Sequence, residues 1–300
     1  MSDTATPTSS AIHSGAVRAR LGRGARFRRY LRRYPSVTIG GGMLLLIALA
    51  GILAPLLGTV NPSEIAPTLR LQPPSAETPF GTDMLGRDVY SRVVYGARVS
   101  LAIGFSVAIV ASVVGLAVGM IAGFVRWTDG IIMRIIDAMM SIPSILLAIA
   151  MMALTRGSIA NVIIAISLAE IPRVARLVRG VVLSLREQPY VEAAISQGAR
   201  TPRIILRHIL PNTVAPILVQ ATYICASAML VESILSFIGA GVPPATPSWG
   251  NIMAEGRTLW QVRPNIIFFP ALFLSITVLA VNLLGDGLRD SLDPRVAKRI

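Results

Sequence analysis

The chain has 300 residues, 53% of them hydrophobic and 14% charged, with a mean hydropathy of +0.66, which is too apolar for an ordinary water-soluble domain. A formal net charge of +13 does not point to nucleic acid, because the basic residues flank apolar runs and do not interleave with aromatics. They read instead as topology signals of a polytopic membrane protein.

Met1 to Ser14 is rich in Ser, Thr and Ala, lacks apolar periodicity and is expected to be disordered. Eight arginines follow between Arg18 and Arg33, so residues 1–35 read as a basic, cytoplasmic tail. The uncharged run from Ser36 to Leu57 is long enough to cross about 30 Å of hydrocarbon, giving a first transmembrane helix over 36–58. Ala48-Leu49-Ala50 mimics a cleavage site, but the apolar run continues past it.

Residues 59–98 then read as an extracytoplasmic segment. It opens with a Pro-rich stretch and ends in an amphipathic helix, with Val89, Val93 and Val94 opposite Arg87, Asp88 and Arg92, expected to lie along the membrane face. Further uncharged runs cover Val99–Val125, Ala138–Thr155, Ile209–Val231 and Pro264–Gly285. Gly115, Gly119 and Gly123 make a smooth ridge for a close helix neighbour, and Pro143 and Pro216 predict kinks.

The run Gly157–Ala169 is short for a span before Glu170, Pro172 and Arg173 interrupt it. Topology decides its reading. With six spans and the amino terminus inside, the inside segments hold 21 basic residues against 7 outside, whereas deleting the short run leaves 12 inside against 16 outside. The expectation is an all-α, six-span chain with both termini cytoplasmic, a core over 99–288, a loop over 186–212 between spans four and five, and a tail over 289–300.

That loop holds two short amphipathic helices. Pro189 suits a first helical position, Val191, Ala194 and Ile195 share a face, and Gly198 can take the left-handed conformation that stops the first helix. Thr201 offers an N-cap, Ile205 and Ile209 face opposite Arg203 and Arg207, and Pro211 is expected to end the second helix. The apolar faces need cover, from a cytoplasmic partner or from the chain's own bundle.

Within or near the spans lie Arg134, Asp137, Glu170 and Glu232. Arg134 with Asp137 and Glu170 with Arg173 have pairing distance on one helix, while Glu232 has no sequence neighbour to pair with and is the candidate gate or pathway residue. Trp249 is a second pathway candidate; it and Trp260 suit an interfacial belt or a contact for a delivered binding protein. Arg289 with Asp293 is the clearest pair of an ion set that also includes Asp286, Asp290 and Arg295.

Enzyme chemistry finds little support. Cys225 is the one cysteine, and His13 and His208 are the two histidines, which excludes a disulfide framework and a paired-histidine zinc motif; no metal site and no catalytic residue are assigned. A phosphate-binding loop needs a lysine after its Gly-rich turn, and the single lysine is Lys298, so any ATP hydrolysis belongs to another subunit.

The loop resembles the hallmark of the permease subunits of binding-protein-dependent ABC importers: Glu192-Ala193-Ala194, three residues, Gly198, then Leu210-Pro211, with His208 standing where the general pattern has Ile. "FGTDMLGRDVYSRVVYGAR" from Phe80, "PSWG" from Pro247 and "NLLGDGLRDSLDPR" from Asn282 are similar to the dipeptide, oligopeptide and nickel branch, so the likeness covers roughly Phe80 to Arg295. Glu170-Ile171-Pro172 departs from it, standing where the pattern has an aromatic before the Pro.

The resemblance implies that the loop is a coupling helix seated in an ATPase groove, with Glu192, Ala193, Ala194, Gly198, Arg203 and Arg207 as coupling residues. It implies a second, similar permease, two ATPase subunits that bind ATP and Mg, an extracytoplasmic binding protein, a peptide cargo and a home in the bacterial inner membrane. Nickel, glutathione or another small solute remains open as cargo, and an ion-coupled transporter without ATPases is the rival of a different class.

Overall fold

A computed structural model describes residues 33–155 and 157–292, and among them no strand forms; a single bridge joins Thr82 and Asp88. The basic tail up to residue 32, the partner Asp293 expected for Arg289, and Arg295 of the same ion set lie outside the described residues. Among the described residues ten α-helices run in the order α1 (Pro35–Ile52), α2 (Val89–Phe124), α3 (Arg126–Met140), α4 (Ser144–Ala153), α5 (Ile159–Arg186), α6 (Pro189–Ser196), α7 (Thr201–Ile204), α8 (Leu210–Phe237), α9 (Trp249–Gly256) and α10 (Asn265–Leu292).

Several helix starts are set by side chains that accept from otherwise unpaired N–H groups. Asp88 accepts from Ser91 at the head of α2, Ser158 from Asn161 at α5, and Ser248 from Asn251 at α9. Among the described residues four helical stretches are long and apolar enough to cross a membrane: α1, α2, Thr201–Phe237 and α10. α3 and α4 reach that length and apolarity only as a pair, bent by 85° at the break between them. The bend falls at Pro143, which caps α4 and removes a backbone donor where a straight helix would need one. α5, of 28 residues, is long enough but carries Glu170, Arg173, Arg176 and Arg179, which sets it apart on composition.

The separate amphipathic helix expected before Val99 does not exist. α2 runs unbroken for 36 residues through 98–99, and Arg92 is as buried as Val89 and Val93, so this helix is covered on both faces instead of lying on a membrane surface. The valine and arginine pattern was real, but each arginine finds a buried carboxylate partner, described below.

The glycine ridge packs as expected. A Cβ built on Gly115, Gly119 or Gly123 would meet Val174, Val178 or Val182 of α5 at 2.5–2.8 Å, closer than side chains tolerate. Residue numbers rise together along both helices, so α2 and α5 run parallel, and the connection through α3 and α4 must return along the bundle. α1 and α10 pack antiparallel: a Cβ on Gly40 would strike Ala280 and Leu284, and one on Gly287 would strike Val37.

Candidate functional site

α6 begins with Pro189 in its first turn, where a missing N–H costs nothing, and turns Val191 fully inward. It stops by the mechanism its sequence predicts. Gly198 has φ +75°; its N–H donates to the Ile195 carbonyl at 2.9 Å, and the Ala199 N–H reaches back to the Ala194 carbonyl at 3.0 Å. This pair of bonds satisfies the last carbonyls of α6 and reverses the chain into α7.

The second half of the loop departs from expectation in three ways. Thr201 is the first residue of α7 and not its cap; Arg200 occupies the cap position and no side chain bonds there. The inward residues are Ile204 and Ile209, five apart, because residues Ile205–Ile209 form a π-helical turn that shifts the buried face by one position. Pro211 does not end the helix: the chain continues directly into α8. The wider π turn, in which the Leu210 N–H donates to the Ile205 carbonyl, accommodates a proline that lacks an N–H and would crowd the carbonyl four residues earlier.

One face of this helix pair is thus packed on its own chain, and the other is open. Ile195 and Leu206 are 56% and 65% exposed, and Glu192, Ala193, Arg203 and Arg207 are exposed beside them. Tyr190 and His208 approach to 6.2 Å between ring centroids, which holds the two halves together. The stem is clamped: Arg179 makes two 2.6 Å bonds to Asp129 of α3, and Arg186 donates to the Gly123 carbonyl at 2.8 Å while stacking over Phe124. An open cavity of about 620 Å³ lies next to it between α5, α8 and α10, with Leu177, Pro211, Pro216, Gln220 and Arg289 in its wall.

At the other end of the bundle four charged groups pair, three of them buried. Asp83 binds both Arg87 at 2.7 Å and Arg92 at 2.6 Å, and Glu255 of α9 binds the same two arginines at 2.5 Å each. Two carboxylates and two guanidiniums alternate in a ring that ties the head of α2 to α9. The sequence does not announce it, since Glu255 lies more than 160 residues from its partners; only the local half, Asp83 four residues before Arg87, has pairing distance along the chain.

Glu232 is fully buried and accepts from the hydroxyls of Ser236 and Ser248, both at 2.9 Å. Ser248 also caps α9, so Glu232 links α8 to α9. Trp249 requires correction: it is 0% exposed, its indole N–H donates to the Val93 carbonyl at 3.0 Å, and its backbone N–H donates to Ser100. Buried between α2 and α9, it belongs to neither a lipid belt nor a docking surface, whereas Trp260 remains 63% exposed.

The intrahelical pair Glu170–Arg173 forms at 2.8 Å. Asp137 does not pair with Arg134 as expected but with Arg176 of α5, which the parallel packing brings alongside. Among the described residues no cluster of His, Cys, Asp and Glu could hold a metal ion.

Residues 115–298 match the family model of the binding-protein-dependent transport system inner membrane component, and residues 22–74 match the N-terminal transmembrane domain of oligopeptide transport permease C. A probable peptide ABC transporter permease protein, y4tQ of Sinorhizobium fredii, is 54% identical over 90% of this chain and 93% of its own. The dipeptide transport system permease DppC of Alkalihalophilus pseudofirmus is 44% identical over 89% and 88%. The glutathione transport system permease GsiD of Pectobacterium atrosepticum is 42% identical over 90% of each chain. Among solved structures, a chain of the inward-facing MetNI methionine ABC transporter superposes with a TM-score of 0.54 at 20% identity, covering 67% of this chain and 96% of that one, a likeness of fold.

Proposed function

The chain belongs to the binding-protein-dependent transport system inner membrane components, and on that premise we propose that it is a permease subunit of an ATP-driven importer of di- or oligopeptides. The observation that carries the reading is the open face of the α6–α7 pair. Its inner face packs on the bundle through Val191, Ile204 and Ile209, while Ile195 and Leu206 stay uncovered on a stem clamped by two arginines. A rigid lever with an unfilled apolar face is what a separate motor subunit needs to grip.

On this reading the chain crosses the bacterial inner membrane six times. The parallel run of α2 and α5 supports the count, because two parallel helices joined through α3 and α4 require a return crossing between them. The charge bias of the loops orients both termini and the helix pair to the cytoplasm. Glu192, Ala193, Ala194, Gly198, Arg203 and Arg207 form the coupling surface. Two ATPase subunits bind ATP and Mg, a second similar permease completes the route, and an extracytoplasmic binding protein delivers cargo at the end where the ion ring lies. The chain is a transport subunit and performs no hydrolysis itself.

Glutathione is the second cargo with specific support, from the GsiD relatives at 42–43% identity, against 44–54% for relatives named for peptides. Uptake of labelled dipeptide, glutathione and nickel in cells with and without the gene, each with and without ATP depletion, separates the cases. Selective loss of ATP-dependent dipeptide uptake is the expected result; selective loss of nickel uptake would keep the machine and overturn the cargo.

A further inference from the structure

Down the second half of α5 runs an exposed stripe of Arg173, Arg176, Gly180 and Ser184, on the face away from the valines that lock onto α2. Arg173 lies about 21 Å along α5 from Ile159 at ~1.5 Å per residue, so on the proposed six-span topology it stands at the inner part of the fourth span. Its side chain is 49% exposed, and its one hydrogen bond among the described residues goes to Glu170, which is buried to 1%. Most of the guanidinium's donors therefore point away from the protein core. Arg176, one turn on, already has Asp137.

Beside Arg173 is a cavity of about 190 Å³ where α3 and α4 meet at the Pro143 bend, walled by Met139, Met140, Pro143, Leu147 and Ala169. Among the described residues Arg173 is its only charged wall residue. A guanidinium at this depth with free donors is costly against acyl chains and suits a water-accessible route. Its planar fork matches a carboxylate bidentately, and methionines adapt to differently shaped neighbours. The space is below the ~300 Å³ of pockets that enclose a whole small ligand, so it fits one end of a longer molecule.

We propose that Arg173 is a cargo-contact residue that receives the C-terminal carboxylate of a peptide in transit, with the methionine-walled niche accepting the last side chain. The proposal rests on the peptide-importer reading above and deepens it. Such a contact is shared by all peptides with a free C-terminus, whatever their sequence, and it repels a divalent cation.

The test is uptake of labelled dialanine and of its C-terminal amide, as a function of concentration, by the complete transporter carrying wild type, Arg173→Lys, Arg173→Gln or Glu170→Gln/Arg173→Gln. The double variant leaves no unpaired buried carboxylate, so it separates contact from folding, and membrane abundance is matched. Wild type is expected to favour the free acid; both glutamine variants should lower acid uptake about tenfold, through KM, leave amide uptake unchanged and bring the acid-to-amide ratio near one, with lysine intermediate. An unchanged ratio in the double variant, whether both peptides fall together or neither does, overturns the proposal. Failure of wild type to take up either peptide overturns the importer reading itself, and the proposal with it.

Discussion

Where α2 begins, two buried guanidiniums pair with the buried Asp83 and the half-buried Glu255, Trp249 is sealed under α2, and Glu232 is held by two serine hydroxyls. Where α5 stops, the helix pair shows its apolar side chains to the outside, the backbone widens into a π turn, and a 620 Å³ cavity stands open. The first end is fixed by charges that cannot separate cheaply once out of water; the second is fixed by a few clamps and leaves its face for another molecule. In the proposed function the helix pair is a lever, which needs one end anchored and one free to be pushed.

The largest effect is expected at the ion ring. Asp83→Ala strands Arg87 and Arg92 with only Glu255 between them, and a loss of about 3–5 kcal/mol is expected. Thermal unfolding of the detergent-solubilised protein, or its disappearance from the membrane, measures it. Next comes the ridge along which α2 and α5 run together: Gly119→Leu would drive a Cβ to 2.6 Å from the Ala175 carbonyl, and about 1–3 kcal/mol should be lost in the same assay.

At the free end stability should respond less and transport more. Gly198 sits at φ +75° with nothing within 4 Å of an added Cβ, so Gly198→Arg costs only the backbone strain of about 1–2 kcal/mol and leaves the protein in the membrane. Smallest is Arg176→Ala: its pair with Asp137 is exposed, and less than about 1 kcal/mol should follow. A large effect there would mean that the stripe on α5 is buried in the assembly.

Much of this was legible in the sequence, because it rests on local rules. Gly198 announced its turn since few residues tolerate positive φ, and Gly115, Gly119 and Gly123 announced a close neighbour since spacing by four lines up one helix face. What escaped depends on partners distant in the chain. Nothing near Arg92 names Glu255, and nothing near Asp137 names Arg176; only the parallel register of α2 and α5 brings α3 against α5. Trp249 read as a surface aromatic because its loop position was visible and its burial was not. Pro211 read as a stop because the π turn before it has no sequence signature.

In the proposed function the open α6–α7 face transmits work from a separate ATPase. The most direct measurement is labelled dipeptide uptake by cells making wild type or Gly198→Arg at matched membrane abundance, with and without ATP depletion. ATP-dependent uptake by wild type and none by the variant is the predicted result. Normal uptake by Gly198→Arg, or wild-type uptake that ignores ATP depletion and collapses with the proton gradient, would contradict it.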